Sequence, residues 1–216
     1  MNVKPLLVAI VGGSGSGKTW LCEQLCAALG ERAARLSLDD FYRDRSHLSP
    51  RRRARINFDH PRAIDWTSFE RVLHKCMAGK PALIPRYNFK THTRDGRPRV
   101  FRPKPVVLVD GLWLLRRARL RKLFDVSVFL HCSAQTRLKR RVERDLLNRG
   151  RSAASVREQI RDTVEPMHER FVEPQARWAQ LVFRRALGAR EVAELANLIN
   201  SPALSCPERR GSHWNE

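Results

Sequence analysis

Six apolar residues, Leu6–Val11, run without a polar break into a glycine-rich segment. Their β-branched content and the glycine ending predict a strand buried on both faces. From Lys18 the spacing changes. Leu21, Leu25 and Leu29 recur every four residues and Gly30 follows, the pattern of a helix with one buried face and a glycine stop. A short strand is expected over Ala34–Leu38, running into Asp39 and Asp40. Val106–Asp110 repeats the buried-strand pattern, and Val126–Leu130 and Leu181–Phe183 read as further strands.

Helices are expected from the capping-box pair Thr67 and Glu70 to about Ala78, over Leu114–Phe124, from a Ser133 cap to Asn148, from Ser152, and near Ala189–Ile199. Pro166 and Pro174 should bend or end the helix that Ser152 starts. Residues 43–56 read as a polar loop, and residues 81–104, with their prolines and Asp95-Gly96, as a small hairpin-like insertion. Strands alternating with helices imply an α/β fold: a mostly parallel sheet with helices on both faces. Ligands of such sheets sit beyond the carboxyl ends of the strands. The glycine loop, Asp39 and Asp110 all fall at such ends, so separate readings converge on one cleft. Residues 1–200 are expected to form one domain, and the polar stretch 201–216 a disordered tail.

Composition narrows the classes. With 216 residues, 42% of them hydrophobic, the chain can bury one full α/β core. No apolar run approaches a membrane span. Leu6–Val11 is too short for a signal-peptide core and leads into glycines, so the expectation is a cytoplasmic protein with no membrane partner. The five cysteines lack any CxxC pair, which suggests neither a zinc site nor a disulfide framework. The net charge of +20 favours polyanionic partners: nucleic acid, anionic membrane surfaces or phosphorylated small molecules. Charge alone does not choose among them.

The chemistry is more specific. Gly12-Gly13-Ser14-Gly15-Ser16-Gly17-Lys18-Thr19 matches G-x-x-x-x-G-K-[ST], between a strand and a helix. Glycines let the backbone N–H groups close on phosphate oxygens, and the helix N-terminus adds its dipole. Lys18 would reach the β- and γ-phosphates of ATP or GTP, and Thr19 would ligate Mg²⁺. Asp110, after a second buried strand, reads as a carboxylate that holds Mg²⁺ directly or through water, or as a helix-capping or loop aspartate. Asp39 and Asp40 read as candidates to orient and deprotonate an acceptor hydroxyl, or as a solvated turn. Arg137, Arg141 and Arg144 share a helix face, and Arg149 and Arg151 flank Gly150 at an expected hinge. This basic segment, about 137–161, reads as a lid over phosphates or as a nucleic-acid patch.

Six ordered segments together resemble the uridine kinase (uridine–cytidine kinase) family. They are GGSGSGKT at Gly12–Thr19, LSLDDFYRD at Leu36–Asp44, NFDHPRAID at Asn57–Asp65, PRYNFKTHTR at Pro85–Arg94, TRLKRRVERDLLNRGR at Thr136–Arg151 and TVEPMHERFVEP at Thr163–Pro174. The resemblance implies roles. Asp39 would activate a nucleoside 5′-hydroxyl, and Asp59, with Arg141, would bind the ribose. Phe58, Tyr87, Phe89 and His92 would hold a pyrimidine base. Arg144, Arg149 and Arg151 would contact phosphates, and Gln159 would be a nearby polar contact. Thr19 and Asp110 would be the Mg²⁺ ligands, and the assembly would be a homotetramer. Asp110 stands where the family usually has glutamate, and Asp40, Arg62 and Asn88 also depart from its pattern.

Two alternatives stay open at this point. One is a P-loop kinase for another metabolite, of phosphosugar, pantothenate or nicotinamide riboside type. The other is a basic nucleic-acid-binding P-loop protein, for which Arg51–Arg53 and Arg116–Lys122 are the best support. The resemblance favours a nucleoside as small-molecule substrate and no specific nucleic-acid partner.

Overall fold

The computed structural model describes residues 4–201 except 54, 95, 150 and 151, so the tail expected over 201–216, apart from Ser201, and the hinge around Gly150 lie outside the described residues. In chain order the elements are β1 (Leu6–Gly12), α1 (Lys18–Leu29), β2 (Ala33–Ser37), α2 (Pro50–Arg53), α3 (Trp66–Met77), β3 (Ala82–Ile84), β4 (Tyr87–Asn88), β5 (Thr93–Arg94) and β6 (Arg99–Phe101). There follow β7 (Val106–Gly111), α4 (Ala118–Arg121), β8 (Val126–Leu130), α5 (Ala134–Arg149), α6 (Ala153–Gln159), α7 (Glu165–Met167), β9 (Leu181–Phe183) and α8 (Ala189–Asn200).

The main sheet has the order β2-β7-β1-β8-β9, and all its pairings are parallel. Every residue of β1 is buried, and the strand's two-residue period divides them between two cores. Leu7, Ala9 and Val11 face one core with Val107 and Val109 of β7 and Phe69, Val72, Leu73 and Cys76 of α3. Leu6, Val8 and Ile10 face the other with Leu21, Cys22 and Leu25 of α1 and Val192, Leu195 and Ile199 of α8. Each large aliphatic side chain so buried contributes about 1.5–3 kcal/mol. The central strands therefore read as unbroken apolar runs, whereas the helices show a single apolar stripe.

The insertion is a hairpin within a hairpin: β3 pairs with β6 and β4 with β5, both antiparallel. Arg94 pins it to the body of the domain. Its side chain donates to the carbonyl of Tyr42 at 3.0 Å and to Asp65 at 3.2 Å, while its backbone N–H donates to Asp44 at 3.0 Å.

Several expectations need correction. The helix α3 begins at Trp66, and its cap is Asp65, whose Oδ1 accepts from the Ser68 N–H at 3.1 Å; Glu70 instead pairs with Arg117 and Arg119. The expected helix over Leu114–Phe124 shrinks to α4. Trp113, Leu114 and Leu115 are all buried, so no helical stripe can form there. The buried amide of Gln175 satisfies that loop instead: it accepts from the Leu115 N–H at 2.9 Å and donates to the Leu112 carbonyl at 2.8 Å. The loop expected over residues 43–56 contains the short helix α2. Pro166 does not end the helical path. It sits in α7, between π-helical turns at Ile160–Val164 and His168–Val172, whose wider bonding pattern bypasses the missing N–H. Among the described residues, no helix is long and apolar enough to cross a membrane.

Candidate active site

A cavity of about 820 Å³ opens at the carboxyl ends of the strands. Its floor is the loop between β1 and α1, with Ser14, Gly15, Ser16, Gly17, Lys18 and Thr19 in its lining. Gly12 and Gly13 lie behind this loop. Gly15 has φ +81°, and a Cβ there would stand 2.8 Å from the carbonyl oxygen of Arg137. A Cβ on Gly13 would lie 2.9 Å from the ring of His168, so the loop is pressed from behind by α5 and by the π-helical segment. Lys18 Nζ donates to the Gly13 carbonyl at 2.7 Å. Burial pushes the Lys18 ammonium below its usual pKa, while the carboxylates of Asp39 and Asp110 oppose that shift and Arg144 adds to it. The lysine therefore lies within the electrostatic field of both carboxylates.

Asp39 lies in a 3-10 turn, Leu38–Phe41, directly after β2 and lines the cavity. Asp40 turns away and pairs with Arg99 at 3.1 Å, which separates the two neighbouring acids by role. Asp110, at the end of β7, is almost fully buried. Its two oxygens are held by Nε and Nη2 of Arg35 at 2.9 and 3.1 Å, and the same Nη2 reaches Thr19 Oγ1 at 3.3 Å. Asp110 and Thr19 thus turn hard oxygen donors toward one cationic group, the donor chemistry that suits Mg²⁺.

Beyond Asp39 the wall becomes aromatic. The His92 imidazole stacks on Phe58 with centroids 4.0 Å apart and planes 10° from parallel. Tyr87 meets Phe89 edge to face at 5.1 Å, and its hydroxyl lies 3.1 Å from His92 Nδ1. His92 has φ +57°, the one positive φ outside glycine among the described residues, and such strain concentrates where geometry serves a site. Tyr42, which sequence reasoning passed over, is buried in the middle of this cluster, 5.0 Å from Tyr87 and 5.9 Å from Phe89. Beside it Asp59 accepts from Arg141 Nη1 at 3.2 Å and from Gln159 Nε2 at 3.5 Å, and Arg141 also donates to Gln159 Oε1 at 3.2 Å.

The sequence model of the "Phosphoribulokinase / Uridine kinase family" matches residues 7–192. The chain belongs to that family. A uridine kinase of Streptococcus equi subsp. zooepidemicus is 36% identical over 198 residues, 91% of this chain and 95% of the relative. A uridine kinase of Streptococcus pyogenes is 37% identical over 206 residues, 95% of this chain and 98% of the relative. The phosphoribulokinase of Rhodobacter spheroides shares the fold, with a TM-score of 0.63 at 16% identity over 84% of this chain and 70% of that one.

Membership in the phosphoribulokinase/uridine kinase family sharpens the reading of the remaining residues. Of the three arginines on one face of α5, Arg137 is buried. It binds Glu165 through Nη2 at 2.7 and 2.9 Å and donates to the Cys132 carbonyl, so it fastens α5 to the segment behind the glycine loop. Arg144 lines the cavity. The fully buried Asp145 holds Arg144 at 2.8 Å and approaches Arg141 at 3.7 Å. Arg149 closes α5, and Arg151 lies outside the described residues. The departures Asp40, Arg62 and Asn88 do not line the cavity. Asn88 accepts from the N–H groups of Lys90 and Thr91 and so shapes the β4–β5 turn. At the opposite end of the cavity, after β9, Arg184, Arg185 and Leu187 complete the lining, and sequence reasoning had not selected them.

Proposed function

We propose that this protein is a uridine kinase that transfers the γ-phosphate of ATP or GTP to the 5′-hydroxyl of uridine or cytidine, giving UMP or CMP. The observation that carries this reading is that Asp39, Lys18 of the glycine loop and the aromatic cluster of Phe58, Tyr87, Phe89 and His92 line one cavity. Strand order supports the polarity. The glycine loop follows the central β1, Asp39 follows the edge strand β2, and Arg184–Leu187 follow the opposite edge strand β9. The acceptor then sits over the β2 side, and the donor base extends toward β9.

The roles follow from the chemistry of each group. The rings offer faces on which a base stacks. Asp59, oriented by Arg141 and Gln159, accepts hydrogen bonds from the ribose diol. Asp39 accepts the 5′-hydroxyl proton as that oxygen bonds to the γ-phosphorus and the bond from phosphorus to the β,γ-bridging oxygen breaks. The loop N–H groups, Lys18 and Arg144 meet the charge on the phosphoryl oxygens, with Arg149 and Arg151 closing over them as a lid of about residues 137–161. Thr19 and Asp110 would hold Mg²⁺, which would supply charge neutralisation at the phosphates. Assembly as a cytoplasmic homotetramer is part of the same proposal, and the exposed cross-strand pair Leu83 and Val100 on the insertion is apolar surface available to it.

Three arginines of the run Arg116–Lys122 have internal tasks that weaken the nucleic-acid reading. Arg117 lies over Trp66, Arg121 over Trp178 and Arg116 over Phe171. A panel of nucleosides and pentose phosphates, each incubated with ATP and Mg²⁺, tests the proposal. Turnover of uridine and cytidine is expected. Turnover of a pentose phosphate with none of either nucleoside overturns it.

A further inference from the structure

Arg35 rises from β2 and lays its guanidinium across the two groups assigned to the metal. The fork grips both oxygens of Asp110 at 2.9 and 3.1 Å, and Nη2 also reaches the Thr19 hydroxyl at 3.3 Å. The Asp110 side chain is 4% exposed and that of Arg35 32%. A planar fork on a carboxylate is among the stronger hydrogen-bonded pairs in proteins, and it leaves a buried aspartate satisfied. It also uses the same oxygens that a divalent cation would draw upon. Two cations sharing one poorly solvated carboxylate repel each other, so fork and metal exclude one another. The guanidinium has somewhere else to go: Glu23 on α1 and Asp40 both lie within its electrostatic reach, and its own side chain is open to solvent on one side.

We propose that Arg35 is an internal counter-cation of the metal site. It holds Asp110 and Thr19 while no divalent cation is bound and releases them when one arrives. This rests on the assignment of Thr19 and Asp110 as metal ligands, not on the identity of the acceptor. Two consequences follow. Arg35 weakens the apparent affinity for the metal, because binding must first break its contacts. It also stabilises the metal-free protein, because without it Asp110 would be a buried charge with its main partner gone.

The test is direct binding of Mn²⁺, read by electron paramagnetic resonance, to the full chain saturated with a non-hydrolysable ATP analogue. Arg35→Gln should bind Mn²⁺ more tightly than wild type by roughly 5- to 150-fold, the usual span of a coupling between two binding events. Arg35→Lys, which keeps a positive charge, should stay nearer wild type. Arg35→Gln should also melt at a lower temperature than wild type without metal and recover most of the difference in saturating Mg²⁺. Should that variant not fold, the wild-type protein still decides. The Arg35 Nε–H resonance should shift when Mg²⁺ is added to the analogue complex, and an unmoved signal overturns the proposal. Equal or weaker Mn²⁺ binding by Arg35→Gln overturns it while leaving the ligand assignment intact. Absence of Mn²⁺ binding in both proteins, with the analogue still bound, removes the ligand assignment and the proposal together.

Discussion

The imidazole of His92 lies flat on the ring of Phe58, 4.0 Å away, while its Nδ1 meets the hydroxyl of Tyr87 at 3.1 Å. One contact fixes the plane of the ring and the other its rotation. A neutral imidazole held in this way presents a donor or an acceptor to a base edge according to its tautomer. Uracil offers a carbonyl at C4 and cytosine an amino group, so both nucleosides are expected as substrates. His92→Lys leaves donors only. Both activities should fall, and the ratio of kcat/KM for uridine over cytidine should rise by roughly 5- to 150-fold, the equivalent of one unsatisfied polar group. Steady-state kinetics with both nucleosides checks this, and an unchanged ratio removes His92 from base selection.

Asp39 and Asp40 are adjacent in sequence and opposite in surroundings. Asp39→Asn should lower kcat by roughly 10²- to 10⁴-fold, with nucleotide affinity little changed. Asp40→Asn breaks a half-exposed pair with Arg99, which costs about 0.2–1 kcal/mol of stability and little activity. Kinetics and urea unfolding on both variants separate the roles. The reverse ranking in kcat would assign the base to the wrong residue.

Arg141 is buried against Asp59 and Asp145. Arg141→Met should leave both carboxylates without their shared cation, raising the nucleoside KM by more than tenfold and destabilising the fold by about 3–5 kcal/mol. Isothermal titration of the nucleoside, with the ATP analogue as control, distinguishes this from general unfolding, because analogue binding should survive in the folded fraction.

His168 supplies a pH dependence of stability. Burial, followed by the charges of Arg137, Lys18 and His131, pushes its pKa from 6.5 down to about 3, while Glu173 lies 3.2 Å from its Nε2. Between those values the unfolded chain binds a proton that the folded protein refuses. Stability therefore falls as pH drops below 6.5, by up to about 1.4 kcal/mol per pH unit from this residue. Unfolding free energies of wild type and His168→Gln between pH 7 and pH 5 should converge toward the acid end. Parallel curves would mean that His168 titrates normally.

What could be read from the chain beforehand was local. The glycine loop is contiguous, and the strands announce themselves by unbroken apolar runs such as Leu6–Val11. The family resemblance assigned Asp59, Arg141 and Gln159 to neighbouring roles, and hydrogen bonds join them although they lie up to 100 residues apart. What escaped were partners that only the fold brings together. Arg35 sits in an ordinary strand, and nothing near it points to Asp110, 75 residues on. Nothing in the sequence marks Gln175, yet its side chain holds the backbone of the loop at Leu115, 60 residues away. The capping box at Thr67 failed for a simpler reason: Asp65 provides the same cap two residues earlier.

The central claim is transfer to the 5′-oxygen of a pyrimidine nucleoside. It is tested most directly by ³¹P NMR of the product formed from uridine, ATP and Mg²⁺, with proton coupling used to locate the ester. The account predicts a phosphate split by the two C5′ protons, formed with stoichiometric ADP. A phosphate on the 2′- or 3′-oxygen, or ADP formed with no phosphorylated nucleoside, would contradict it.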